Sequence, residues 1–435
     1  MIIKATLLLS ALLLSAQDGL SPERLARKLR RMSPRAELAA DPTNRVADNM
    51  EAALLGKALF FDPRLSSDGR FSCATCHDPE RAFTDGRALP DGRGEIGRNS
   101  PTLLNVGRRR WLFWDGRADS LWAQFRHPLE NPVEMDGDRL ALAHLITTDT
   151  ALKRRYTEVF GATPDLSDDD RFPARARPGA TNAEDERAIA WREMRAQDQS
   201  TINTLLANTG KALAAYQRKL ETAESPFDRY VRAYLSGDET GGGHISPKAR
   251  RGVEVFLGKG KCTLCHMGSE LTDEEFHHLA VPSLNNELPI DIGRYLGAKL
   301  VKSEPFNAAS VHSDQREGEA ADFVSLLRAD ADQFGELRTP SLRNVAETAP
   351  YMHQGQFTSL EEVVHFYSTL EGAQRTGHHQ ELTLTPANFT EAEEGELLAF
   401  LRSLSAPLVE PQWGESPTTQ SPTTQSPTGQ NGTQR

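Results

Sequence analysis

The apolar positions of the chain fall into short helical stripes separated by polar loops. From Met50 onward, Leu54, Leu55, Ala58, Leu59 and Phe61 leave one apolar face at helical spacing. Asp62-Pro63 ends that stripe, because a residue before proline disfavours the right-handed helical region. Ile202, Leu205, Leu206, Leu213 and Tyr216 mark a longer amphipathic helix, which the pattern carries to near Ser225-Pro226. Ser246-Pro247 is a helix start, with serine as N-cap and proline in the first position, and Val253 and Phe256 face inward after it. Leu360, Val363, Val364 and Tyr367 recur at i, i+3, i+4 and i+7, one buried face. Ser359 caps that helix, and Glu361 and Glu362 stand in its first turn, where the helix dipole favours acids. Strand signals are few.

Other stretches carry no such stripe. Leu7 to Leu14 is an almost wholly apolar run after Lys4, too short to span a bilayer comfortably, and residues 1–19 read as an export signal. Retention of that run as an N-terminal anchor is the alternative; no stable membrane insertion is expected otherwise. Ser21 to Met32 is basic and reads as a helix at the edge of the fold. Residues 161–200 read as an insertion, acidic at Asp168-Asp169-Asp170 and then mixed, with Trp191 inside a helix. Gly241-Gly242-Gly243 suits a hinge. The five-residue unit at Ser416, Ser421 and Ser426 has no apolar side chain beyond proline and is expected to be disordered. A length of 435 residues suits about two domains. The expected division is 20–235, 236–411 and a tail at 412–435. The net charge of -11 argues against nucleic acid as a partner and suits a basic redox partner.

The four cysteines change the picture. Cys73-Ala-Thr-Cys76-His77 and Cys262-Thr-Leu-Cys265-His266 use all of them. Two cysteines at this spacing can each form a thioether to a haem vinyl group, and the histidine that follows is placed under the iron. The rival is one four-cysteine zinc site, but zinc does not call for a histidine straight after each pair. The expected frame is two covalently bound haem c groups, one in each half of a mainly α protein. Haem is attached to such motifs outside the bacterial cytoplasm, which agrees with an export signal and a periplasmic location. No cysteine remains for a disulfide.

The second axial position of each iron then decides function. Open iron can bind peroxide, whereas iron with two strong protein ligands mainly passes electrons. In the second half Met267 follows His266 and belongs to the proximal side, which leaves Met352 and Tyr367. Periodicity alone favours a packed aromatic at Tyr367. His277, His278, His378 and His379 stand in polar surroundings and are expected at the solvated surface.

Several stretches resemble bacterial dihaem cytochrome c peroxidases, and among them the MauG-type branch. These are Leu59-Phe-Phe-Asp-Pro-Arg-Leu-Ser66, Ser72-Cys-Ala-Thr-Cys-His77, Arg98-Asn-Ser-Pro101, Phe113-Trp-Asp-Gly-Arg117, Val133-Glu-Met135, Arg338-Thr-Pro-Ser-Leu-Arg-Asn-Val345 and Pro350-Tyr-Met-His-Gln-Gly355. The resemblance runs from about residue 50 to 405 and implies two cytochrome c-like haem domains. It implies that the haem on His77 reacts with peroxide. Ordinary members carry a distal histidine in the loop before Arg-Asn-Ser-Pro; here no histidine lies between Asp78 and Arg98, so an open site is implied. His127, between Gln124 and Pro128, is the nearby histidine that could close it.

By family position, Glu134 serves as acid and base, Gln124 donates to bound peroxide and Pro128 limits the space above the iron. Tyr367 stands where ordinary members have a methionine and is the implied ligand of the second haem. Trp114 is the implied relay between the haems, and His353 lies near the second. Asn99, Thr348 and Pro350 match a Ca²⁺ site, whose oxygen donors suit that hard cation. The implied activity uses hydrogen peroxide to form a high-valent dihaem state that oxidises a protein substrate. The rivals are a cytochrome c peroxidase fed by a small redox protein, and a non-catalytic dihaem electron carrier.

Overall fold

The helices that carry the site are started by side-chain caps. Asn49 accepts from the Ala52 amide and opens Met50–Phe60, and Ser246 accepts from Ala249 and opens Pro247–Leu257. Ser120 opens Leu121–Gln124, and Ser359 opens Leu360–Thr369. Each such cap is worth about 1 kcal/mol. The computed structural model describes residues 20–33, 35–179, 185–284, 291–374, 381 and 383–417. The expected export signal, most of the repeat tail, and His378 and His379 lie outside them. Among the described residues the protein is mainly helical. One antiparallel pair joins Phe276–His277 to Leu337–Arg338, with Phe276 opposite Arg338.

Each half builds a core behind its cysteine motif, and in each the helix leading into that motif crosses a later helix at a glycine. Gly56 of Met50–Phe60 meets the Ala212 backbone of Ala196–Gln217. Gly252 of Pro247–Leu257 meets the Glu396 backbone of Glu391–Arg402. A Cβ at either glycine would overlap a carbonyl oxygen.

The division between the halves differs from the expected 235/236 boundary. Leu25, Leu29 and Met32 of helix Pro22–Met32 pack in the second core, together with Phe227, Tyr230 and Val231 of Pro226–Leu235. Conversely, Trp413 of the turn Pro411–Gly414 is buried in the first core, so the tail does not begin at 412. The chain passes between the cores near Thr222, which pairs with Leu408, rather than at Gly241–Gly243. An apolar stripe shows that a face is buried but not against which partner, which is why periodicity missed these exchanges. The helix through Tyr216 ends at Gln217; Ser225 and Asp228 form a capping box that starts the next one. The polar segment 161–200 is not a separate appendage. Its Leu166, Phe172, Trp191 and Met194 belong to the first core, and Ala196–Gln217 begins inside it.

Candidate functional site

Both cysteine motifs sit on a single turn of helix, Cys73–Cys76 and Cys262–Leu264. The histidine that follows is fixed by a backbone carbonyl. His77 Nδ1 lies 3.2 Å from Phe83 O, and His266 Nδ1 lies 2.9 Å from Leu271 O. A carbonyl only accepts, so Nδ1 carries the proton and Nε2 keeps its lone pair for a metal. Burial lowers the pKa of both imidazoles, that of His77 to about 4, which keeps them neutral. The two carbonyls are aimed by the same backbone device. Phe83 (φ 58°) and Leu271 (φ 53°) are buried residues in the left-handed region, each at a cost of about 1–3 kcal/mol.

The first cavity is lined by Cys73, Cys76 and His77 with Phe60, Phe71, Trp114, Gln124, Pro128, Glu134 and Leu213. Glu134 Oε1 accepts a 2.6 Å hydrogen bond from Asn131 Nδ2. Loop residues Pro90, Asp91, Gly92 and Ile96 close one side and supply no imidazole. Gly92 allows that closure, since a Cβ there would overlap Val133 O. His127 is not in the lining. Its ring stands edge-on to Phe113 (5.5 Å) and its Nε2 is 3.7 Å from Glu304 Oε2. Met135, not singled out from the sequence, is buried and does line the cavity; the Val-Glu-Met stretch held that signal.

The second cavity, about 470 Å³, is lined by Cys262, Cys265, His266, Leu360, Val363, Val364, Tyr367, Met352 and His353. Burial first, then the neighbouring Cys262 and Cys265, push the Tyr367 phenol pKa upward. His277 and His278 also line it, contrary to the expectation of a solvated surface. Asp273 and Glu381 each lie 2.9 Å from a His277 nitrogen, and its pKa is pushed up to about 11, Asp273 being the largest cause. Half-buried thiols facing an apolar cavity beside a fixed neutral imidazole are the set of groups that a covalent haem requires, and both cavities have it.

The two cavities are built from one repeated backbone, which weak side-chain similarity concealed. At one constant interval, Pro101 pairs with Pro340, Asn105 with Asn344, Phe113 with Met352, Gly116 with Gly355 and Ser120 with Ser359. Asn105 and Asn344 both have φ 58°; Phe113 and Met352 have φ 65° and 69°. The bridge Leu112–Ala118 repeats as Tyr351–Phe357. The same interval carries Leu121–Glu130, two short helical pieces, onto the continuous helix Leu360–Thr369. It pairs Pro128 with Tyr367. The position that presents a phenol to the second cavity presents a proline to the first.

Trp114 lines both cavities. Its Nε1 donates to Asn99 O (3.0 Å), its carbonyl accepts from the Arg338 amide (2.7 Å), and its ring stands edge-on to His353 at 6.5 Å. Burial lowers the His353 pKa to about 4. Arg98 ties the halves together through Asp115 (2.6 Å) and Asp291 (2.7 Å). Asn99, Thr348 and Pro350 all line the second cavity. The Asn99 amide donates to Arg87 O (2.8 Å), and Thr348 Oγ1 donates to Val345 O (3.2 Å). Among the described residues the one cluster of three metal-ligating side chains is Cys265, Asp273 and His277.

A family model described as Di-haem cytochrome c peroxidase matches residues 50–236. Cytochrome-c peroxidase IdrP2 of Pseudomonas sp. (strain SCT) is 32% identical over 376 residues, 85% of each chain. Methylamine utilization protein MauG of Methylorubrum extorquens is 32% identical over 358 residues, 82% of this chain and 78% of that one. The crystal structure of the diheme peroxidase BthA from Burkholderia thailandensis is similar with a TM-score of 0.59 at 26% identity, covering 92% of each chain.

Proposed function

The chain belongs to the di-haem cytochrome c peroxidase family, and within it we propose a peroxidase of the MauG type. It is a haem-dependent oxidoreductase acting on peroxide, and membership implies two haem c groups. In the proposed reading, peroxide reacts on the His77 side and the oxidising equivalents are used on a partner, its protein side chains being the substrate. The observation that carries it is the Pro128–Tyr367 pair, a side chain with nothing to donate to iron opposed to a phenol at the equivalent place.

When bound, haem would supply peroxide chemistry at the first site and a second redox centre at the other. Cys73, Cys76, Cys262 and Cys265 would hold the two groups, His77 and His266 would each ligate an iron, and Tyr367 would ligate the second. Glu134 takes the proton from the near oxygen of peroxide and returns it to the far oxygen. Gln124 donates a hydrogen bond to the peroxide. Pro128 leaves the space above free, and Trp114 links the cavities. Asn99, Thr348 and Pro350 are proposed to bind Ca²⁺. Export to the periplasm is proposed on Lys4 and Leu7 to Leu14; among the described residues no helix is long and apolar enough to cross a membrane.

The alternative is a cytochrome c peroxidase that draws electrons from a small cytochrome or cupredoxin, as the name of the Pseudomonas relative suggests. As-isolated ferric protein should show one high-spin and one low-spin haem by electron paramagnetic resonance, and two low-spin signals would overturn the open site. Tyr367→Phe should alter the low-spin signal; an unchanged signal would pass the ligand role to Met352 or another residue. Steady peroxide reduction by a reduced small cytochrome, with no covalent change in any protein, would establish the alternative.

A further inference from the structure

A second set of aromatic rings leads out of the first cavity without involving Trp114. Phe60 lines that cavity, and its ring centroid is 5.0 Å from that of Tyr216. Tyr216 lies 6.2 Å from Trp413 in turn. Tyr216 is wholly buried on Ala196–Gln217, between Leu213 and Gln217, which both line the cavity. Trp413 is 4% exposed and lies directly beneath the surface, flanked by exposed Gln412 and Glu415. Three rings thus join the cavity wall to the outside, and electron transfer is fast across rings in contact.

The two hydrogen bonds on this set differ in chemistry. The Tyr216 hydroxyl donates to Trp413 O at 2.9 Å, and a carbonyl is not a base. A phenol gives up an electron readily only when its proton can leave, so Tyr216 serves as a bridge and not as a resting place. Trp413 Nε1 donates to Glu410 Oε2 at 3.2 Å, and a carboxylate can take that proton. The indole can therefore be oxidised to a neutral radical.

We propose that Trp413 is the surface redox terminus of the first haem site, open to small one-electron donors. The indole gives one electron through Tyr216 and Phe60 to the oxidised centre left by peroxide. Its N–H bond breaks and the proton passes to Glu410. An external donor then returns the electron, and Glu410 returns the proton. Peroxide, the established oxidant, leaves two oxidising equivalents, so two such turns, with two donor electrons and two protons from solvent, balance its reduction to water. The route is compatible with either reading of the partner, because it asks only that peroxide react at the first site. It also drains oxidising equivalents when no partner is present.

The test uses the full-length holoprotein with ring-deuterated tryptophan, mixed with hydrogen peroxide without donor and freeze-quenched for electron paramagnetic resonance. A radical signal narrowed by the ring label is expected in the unaltered protein and is lost in Trp413→Phe. The peroxide-oxidised state then persists several-fold longer, and mass mapping of the unaltered protein finds oxygen added at Trp413. Glu410→Gln, at the exposed surface, keeps the fold and slows formation of the radical. Trp191→Phe leaves it unchanged. A tryptophan signal undiminished in Trp413→Phe would overturn the proposal, as would its loss in Trp191→Phe. So would its absence from the unaltered protein, with one oxidised-state lifetime for both.

Discussion

Replacing Glu134 by Gln separates two things the carboxylate does. The 2.6 Å hydrogen bond from Asn131 Nδ2 ends on Glu134 Oε1, and a glutamine oxygen can still accept it. Position is therefore kept and only the proton-transfer capacity is removed. General acid–base catalysis contributes about a hundred- to ten-thousandfold, or about 3–5 kcal/mol of barrier. Asn131→Ala is the complementary change, keeping the carboxylate and removing its tether. A net loss of about 1 kcal/mol in alignment corresponds to about a fivefold slower reaction. The assay is the second-order rate of peroxide with the ferric protein by stopped-flow absorbance, at equal haem content and with the high-spin signal unchanged. Glu134→Gln should fall at least about a hundredfold and Asn131→Ala only about fivefold. A Glu134→Gln rate within about fivefold of the unaltered protein would refute proton transfer by this residue. Equal losses in the two variants would show that it acts only by shaping the cavity.

Two further outcomes concern stability. Burial pushes the Asp119 pKa up to about 6, although its oxygens accept from the Ala308 amide (2.7 Å) and the Ser120 hydroxyl (3.3 Å). Between the ordinary value of 3.8 and about 6 the folded state holds the proton that the unfolded state has lost, so stability falls as pH rises through that window. Asp119→Asn should remove that fall, checked by urea midpoints measured across it; an unchanged pH dependence would refute the assignment. Gly252→Ala should cost about 1–3 kcal/mol, because its Cβ meets the Glu396 carbonyl at the helix crossing. A calorimetric Tm equal to that of the unaltered protein would refute the tight crossing.

What the sequence disclosed was local chemistry. Cys73 to His77 and Cys262 to His266 can be read because the attachment pattern lies within five consecutive residues. The helix carrying Tyr367 is equally visible, since Ser359, the acidic first turn and the apolar stripe agree. The duplication was concealed because its shared features are conformational: left-handed residues at Asn105 and Asn344, and at Phe113 and Met352. Such positions do not demand a side-chain type strongly enough to stand out. His277 was misplaced because one of its two charged partners, Glu381, comes from a distant part of the chain. Trp413 was missed because it sits beside a low-complexity stretch and its apolar neighbours are contributed by the other half.

The first and last described segments each close the half to which they do not belong in sequence. Pro22–Met32 seals the second core, and Leu408 to Gly414 lies against Pro79 and Phe83 beside the first cysteine motif. A chain made from its N-terminus cannot finish its first core until Trp413 has emerged. Cutting it at the middle would yield two pieces, each with an apolar face bared and a foreign strap attached. The pair of halves, and not the single half, is therefore the smallest unit in which both cores are closed.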